Sequence, residues 1–282
     1  MIQPSDVNEF GLIIASASGA PGASVGASTT PGNNSYGSFT SIMSGATVTD
    51  DVYGLWIIIN TGFVSGAARD ILITIGLDPA GGTSFSDWIT DLLGSCASNY
   101  GGATAAGGVQ YFFPLFIKAG TAIGAKSSVN NATVGTVSVG LKLLCKPSRP
   151  DLLRLGTQVR TYGSTAASSS GTAVTPGGAS EGAWTSIGTV AAGDRPWFWQ
   201  VGIGINNATM NNNGLHVDLG IGDGSNKRVV IQDELILTST TETISARYSG
   251  AYAKACPGDV IYGRAQGTSA VTGTSLIAYG VI

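Results

Sequence analysis

Charge is scarce in this chain. Only 11% of its 282 residues are Asp, Glu, Lys or Arg, less than half the ~25% of ordinary soluble domains. Its 14 bases and 17 acids leave a net charge of −3, with six bases and eight acids before residue 151 and eight and nine after it. No basic cluster exceeds the pair Lys227-Arg228, which excludes duplex nucleic-acid binding by phosphate neutralisation. Histidine occurs once, at His216. Any Ser-His-Asp or Cys-His relay would have to pass through it, yet Leu215, Val217 and Leu219 alternate around it as strand residues, so it reads as a solvent-facing strand histidine. No Cys-X-X-Cys or His-Glu-X-X-His spacing exists, and zinc is unsupported. The longest apolar runs, around Leu55–Ile59 and Phe112–Ile117, fall far short of the ~20 residues that span a bilayer.

Cysteine is also sparse. Cys96, Cys145 and Cys256 are odd in number and lack ligand-like spacing, so buried free thiols are expected, with a disulfide only in an oxidising medium. The segment Met1-Ile2-Gln3-Pro4-Ser5-Asp6 has neither a basic n-region nor an apolar h-region. The expectation is a protein made and kept in a cytosol until assembled. The sequons at Asn33, Asn131 and Asn207 are then surface turns rather than glycan sites.

What the chain does have is itself, twice. Thr30-Pro31-Gly32 and Gly37-Ser38-Phe39-Thr40-Ser41-Ile42 return as Thr175-Pro176-Gly177 and Gly182-Ala183-Trp184-Thr185-Ser186-Ile187, both 145 residues on. Ile57-Ile58-Ile59-Asn60 aligns with Ile203-Gly204-Ile205-Asn206, and Ile73–Leu77 with Val217–Ile221. Ala119–Lys126 aligns with Pro257–Arg264, and Gly135-Thr136 with Gly273-Thr274, each at 138. The order is colinear, and the drift is expected to come from an insertion in copy one between about Gly81 and Gly108. A tandem duplication sets domains at about 1–150 and 151–282, joined through the stiff stretch Lys146-Pro147-Ser148-Arg149-Pro150-Asp151.

Short runs rich in β-branched and aromatic residues predict strands. These are Gly11–Ala15, Gly54–Ile59, Asp70–Ile75, Val109–Ile117 and Val134–Leu144 in copy one, and Trp197–Ile205, Leu215–Ile221, Val229–Leu237 and Ser275–Ile282 in copy two. Gly, Asn, Asp, Ser and Pro clusters separate them, as in a β-sandwich or barrel. The Gly-rich run Gly202-Ile203-Gly204-Ile205 predicts close backbone approach or curvature. One segment reads as helical: Ser86–Gly94 has a capping Ser, early acids, a closing Gly, and Trp88, Ile89, Leu92 and Leu93 on one helical face. The fold class expected is all-β, with two duplicated antiparallel jelly-roll-like sandwiches and one short helix in the first.

Each candidate for chemistry has a plainer reading. Gly220-Ile221-Gly222-Asp223-Gly224 lacks the following helix of a phosphate loop and reads as a hairpin connection. Asp223–Asn226 and Asp78–Gly81 offer one carboxylate each, which suits turns better than calcium. The neighbours Asp50-Asp51 and Asp233-Glu234 point to opposite strand faces and cannot form a glycosidase pair. Trp197-Phe198-Trp199 could be a sugar platform, but its counterpart Val52–Trp56 is aromatic too, so core or interface aromatics are the simpler reading.

Pro176–Ile187 with Pro257–Gln266, and in weaker form Pro31–Ile42 with Ala119–Lys126, resemble virion structural proteins of tailed bacteriophages. The resemblance implies a non-enzymatic collar, tail, fibre or capsid-decorating subunit, without cofactor or metal. It would pack against other copies of itself, as a trimer or ring, and against neighbouring virion proteins, with no membrane and no direct nucleic acid. Two alternatives stay open: a double jelly-roll major capsid protein, and a carbohydrate- or receptor-binding module. The candidate contact residues are Trp88, Trp197 and Trp199, together with the 81–108 stretch.

Overall fold

The computed structural model describes residues 10–16, 26–61, 69–96, 107–130, 137–178, 180–205, 214–237, 246–247, 250–267 and 273–282. Copy one contributes β1 (Phe10–Ala15), β2 (Ala27–Thr29), β3 (Gly32–Asn33), β4 (Thr40–Met43), β5 (Val52–Thr61), β6 (Arg69–Asp78), β7 (Ser86–Cys96), β8 (Gly107–Phe113), β9 (Ala122–Val129) and β10 (Val137–Pro147). They form two sheets, β1-β10-β5-β8 and β3/β4-β9-β6-β7, with β2 beside β10. Copy two contributes β11 (Val159–Tyr162), β12 (Thr172–Val174), β13 (Thr185–Thr189), β14 (Phe198–Ile205), β15 (Gly214–Gly222), β16 (Lys227–Leu237), β17 (Ala246–Arg247), β18 (Ala251–Tyr252), β19 (Val260–Gly267) and β20 (Thr274–Val281). Its sheets run β11-β20-β14-β18 and β13-β19-β15-β16.

The two orders are the same. Naming the eight main strands of each copy B to I along the chain, one sheet reads B-I-D-G and the other C-H-E-F in both copies, the arrangement of an eight-stranded jelly roll. Among the named strands, pairing is antiparallel apart from the short contacts β3–β9 and β17–β8. The latter lays two residues of copy two along the G strand of copy one.

Alternation follows the layers. On β19 every second residue is buried, as expected of a strand with one face on the core. β20 is buried throughout, because copy one covers its outer side. Strands buried on both faces read as continuous apolar runs, and Leu276-Ile277-Ala278-Tyr279 is one. The buried apolar residues of both copies form a single continuous cluster.

Ser86–Gly94 is not a helix. It lies in β7, paired with β6, and no α-helix occurs among the described residues. The reason is a β-bulge. Ile73 pairs with Leu92 and Ile75 with Ile89, so three steps on β7 oppose two on β6; Asp91 takes up the extra residue at φ 58°. An added residue shifts the period-2 alternation by one, and apolar residues on either side of it then imitate a helical face. Copy two has the same bulge: Val217 pairs with Glu234 and Leu219 with Ile231, around Asp233 at φ 54°. Consequently most of the 81–108 stretch is not extra chain, since β7 has its counterpart in β16. Between E and F, copy one carries residues 79–85 where copy two has 223–226.

Candidate functional site

The densest polar constellation lies on the outer face of the second C-H-E-F sheet. Arg264 on β19 sits directly opposite Asp218 on β15. Its Nε donates to Asp218 Oδ2 at 2.9 Å, its Nη2 lies 2.7 Å from the same oxygen, and Nη1 pairs with Glu181. The guanidinium lies 4.3 Å from the centre of the Trp184 ring. Asp218 Oδ1 accepts the backbone N–H of Asp233 at 2.7 Å, locking the bulge. His216, exposed on the same face, has Nδ1 3.9 Å from Asp233 Oδ1.

Glu181, Asp218 and Asp233 bring their carboxylate oxygens within 4.8 Å of one another. Such a donor set could hold a hard cation. Here the Arg264 guanidinium occupies that place, bonded to two of the three carboxylates, so the group reads as a closed ion-pair network.

The corresponding place in copy one tests this reading. Tyr36, Phe39, Thr74, Asp91 and Lys126 stand where Glu181, Trp184, Asp218, Asp233 and Arg264 stand in copy two. The Tyr36 hydroxyl donates to Asp91 Oδ1 at 2.5 Å, and burial, with the nearby Asp91 charge, pushes its phenol far above the ordinary value. Lys126 Nζ is 2.7 Å from Asp87 and lies over the Phe39 and Tyr36 rings at 4.7 and 5.1 Å. Both copies thus tie the segment before strand C onto strands H, E and F with a base, an aromatic ring and the bulge aspartate. The side chains differ and the fastening is the same, which marks it as architectural. The signal in the sequence was the base shared by both H strands, Lys126 aligned with Arg264.

Other carboxylates serve turns. Asp223 Oδ1 accepts the N–H groups of Asn226 and Ser225 at 2.9 and 3.2 Å, and these bonds hold its pKa below the usual range. Asp78 accepts from Ala80 and Ser84 at 2.9 and 2.8 Å.

The aromatic candidates are placed inside. Trp199 is 0% and Trp197 4% exposed; the Trp199 ring packs on Tyr162, and Trp197 stacks on Tyr252 under Arg154. Neither ring presents a face to solvent. Trp88 is half-buried, and its Nε1 donates to the Thr157 carbonyl at 3.1 Å, across the boundary between copies. Cys145 is buried, whereas Cys256 is exposed beside the Pro257-Gly258 turn, against the expectation of buried thiols; the side chain of Cys96 lies outside the described residues.

The boundary between the copies is a second constructed site. The outer face of the second B-I-D-G sheet, with Phe198, Gln200, Gly202 and Gly204 on β14 and Ser275, Ile277 and Tyr279 on β20, lies against the F and G strands of copy one. The Tyr279 hydroxyl accepts from the Leu93 N–H at 2.7 Å and donates to the Asp91 carbonyl at 2.8 Å. Its ring meets Tyr111 and Phe113 edge-on, with centroids 5.4 and 6.2 Å apart. Tyr111 in turn donates to the Leu93 carbonyl at 2.6 Å. Two tyrosines therefore satisfy the outward backbone groups of an edge strand that would otherwise invite further pairing. A Cβ added at Gly202 would lie 2.6 Å from the Tyr111 hydroxyl and 3.0 Å from Leu93 Cβ. The expected close approach at Gly202–Gly204 is this contact.

No family model matches the chain, and no curated protein matches it. Among solved structures it is similar to PNGF-II, at 7% identity over 97% of this chain and 66% of that one, with a TM-score of 0.36. It is also similar to a chain of Sulfolobus Turreted Icosahedral Virus, at 12% identity over 87% and 56% with a TM-score of 0.24. A third is from an archaeal virus described by its triple jelly roll fold and turret assembly, at 12% identity over 88% and 55% with a TM-score of 0.22. This chain spans 66% or less of each of these chains, and superpositions this loose supply no activity and no partner.

Proposed function

We propose that this chain is a non-enzymatic structural subunit of a virus particle, of the tailed-bacteriophage kind its motifs resemble, in a collar, tail, fibre or capsid-decorating position. It acts by packing against further copies of itself and neighbouring virion proteins. The observation that carries this reading is the contact between the two jelly rolls, where Tyr279 meets Tyr111 and Phe113, and Phe198 meets Phe112, edge to face with centroids 5.4, 6.2 and 6.4 Å apart. A chain that joins jelly rolls in this way, and has few charges to desolvate, is suited to lateral packing in a shell or ring. Its densest polar constellation supports the same reading, because a different set of residues performs the same fastening in copy one. Mass measurement of the purified protein tests the proposal: a trimer or ring is expected, and a stable monomer at high concentration would count against it.

A second reading is the double jelly-roll major capsid protein, favoured by two B-I-D-G/C-H-E-F sandwiches in one chain. Copy number per particle separates the two, hundreds for a major capsid protein against tens for a collar or tail component. A glycan-binding role would need a surface other than the Trp197 and Trp199 rings, and unchanged glycan-array binding on Trp199→Ala would be consistent with that.

A further inference from the structure

The outer face of the first C-H-E-F sheet differs from that of the second at one reactive pair. Lys126 on β9 stands opposite Thr74 on β6, which offers it no charge. Its side chain therefore reaches past β6 to β7, where Nζ lies 2.7 Å from Asp87 Oδ1. In copy two, Arg264 finds its acid directly opposite, in Asp218. The place of Asp87 is taken there by Val229, because Gly76 pairs with Asp87 as Gly220 pairs with Val229. An amine against a carboxyl at this place is thus a feature of copy one alone. A guanidinium is permanently charged and is no nucleophile, whereas a lysine that gives up its proton is one.

The surroundings hold the pair together. Lys126 is 17% exposed, with Nζ 4.7 Å from the centre of the Phe39 ring and 5.1 Å from that of Tyr36. Both rings are fixed. Phe39 packs on Phe85 with centroids 5.5 Å apart and comes within 2.6 Å of where a Cβ at Gly76 would fall; Tyr36 is tied by its hydroxyl to Asp91. An oxygen 2.7 Å from Nζ puts its carboxyl carbon about 3.5 Å away, the separation of a near-attack pair. Asp87, 49% exposed, leaves a departing water a way out. Another lysine–carboxylate pair, Lys146 with Asp50, is longer at 3.2 Å, and its lysine is 59% exposed; it is an ordinary solvated ion pair.

We propose that Lys126 and Asp87 join in an isopeptide bond, a covalent staple from strand H to strand F across strand E of the first jelly roll. The Lys126 ammonium passes a proton to the Asp87 carboxylate, and the neutral Nζ attacks Cγ. The Nζ–Cγ bond forms, the bond from Cγ to the protonated oxygen breaks, and that oxygen leaves as one water with a second proton from the nitrogen. Amine and acid become amide and water, with no oxidant and no further reactant. An effective molarity of about 10⁵ M or more for groups held in this way favours the amide over its hydrolysis. The bond closes residues 87–126 into a loop and constrains the unfolded chain as a disulfide does, without needing the oxidising medium that a disulfide requires. This goes beyond the structural-subunit reading and does not depend on it.

The intact mass of the full-length protein, measured denatured, tests the proposal. After allowance for Met1, the expected mass is one water below that of the sequence, and a proteolytic map contains a branched species joining the peptides that carry Asp87 and Lys126. Lys126→Arg keeps a cation without a nucleophile, and Asp87→Ser removes the acid; each is expected to restore the full sequence mass. A wild-type mass equal to that of the sequence overturns the proposal. So does a water loss that persists in either variant, or one that maps to another place such as a succinimide at Asp223-Gly224. The wild-type mass and map decide the matter even where a variant fails to fold.

Discussion

The Tyr279 hydroxyl serves two backbone groups of β7 at once, the Leu93 N–H and the Asp91 carbonyl. Tyr279→Phe keeps the ring contacts and leaves both groups buried without that partner. A loss of about 1–3 kcal/mol is expected in urea unfolding. Arg264→Ala leaves Asp218, whose side chain is 3% exposed, without its counter-ion; the expected loss is about 3 kcal/mol, the low end for a broken buried pair, because Arg264 itself is 21% exposed. Arg264→Lys recovers part of it, lacking the fork and the stacking on Trp184. Burial raises the Cys145 thiol from 9.0 to about 11 and, with Asp194, the Tyr162 phenol from 10.0 to about 12. Both groups fold more readily in the neutral form. Their contribution is therefore complete below pH ~9 and is lost as pH climbs through about 11 and 12. Thiol titration of native protein at pH 8 should modify exposed Cys256 and leave Cys145 untouched until unfolding.

At the scale of elements, most strands were legible because their alternation and their Gly, Asn and Pro boundaries are undisturbed. β7 was not. Trp88, Ile89, Leu92 and Leu93 straddle the bulge at Asp91, and Ser86, Asp87 and Gly94 happen to resemble helix ends. The comparison that could have corrected this was available: Asp233 in β16 performs the same bulge, with Val230, Ile231, Glu234 and Leu235 around it. Positive φ at an aspartate is tolerated, and glycine removes its strain. Asp91→Gly should therefore retain the fold with loss of the Tyr36 hydrogen bond, whereas Asp91→Val should destabilise by about 1–2 kcal/mol more in the same unfolding assay. The residues around Arg264 were illegible for another reason. Glu181, Asp218, Asp233 and Arg264 are dispersed over the chain, and only sheet register brings them together. On β14, Gly202→Leu would drive a side chain into Tyr111 and Leu93, and the expected cost is about 1–3 kcal/mol or separation of the two sandwiches, read by limited proteolysis.

For the whole molecule, duplication explains more than the fold. The second jelly roll fills the seam between the F and G strands of the first with the outer face of its B-I-D-G sheet, through Tyr279. Low charge fits this arrangement, since faces destined for packing carry little to desolvate. Sedimentation velocity of the purified protein over a hundredfold concentration range is the most direct measurement. A structural subunit is expected to sediment as a discrete multiple of its 28.4 kDa mass, populated increasingly as concentration rises; a single species at 28.4 kDa throughout that range would contradict the account.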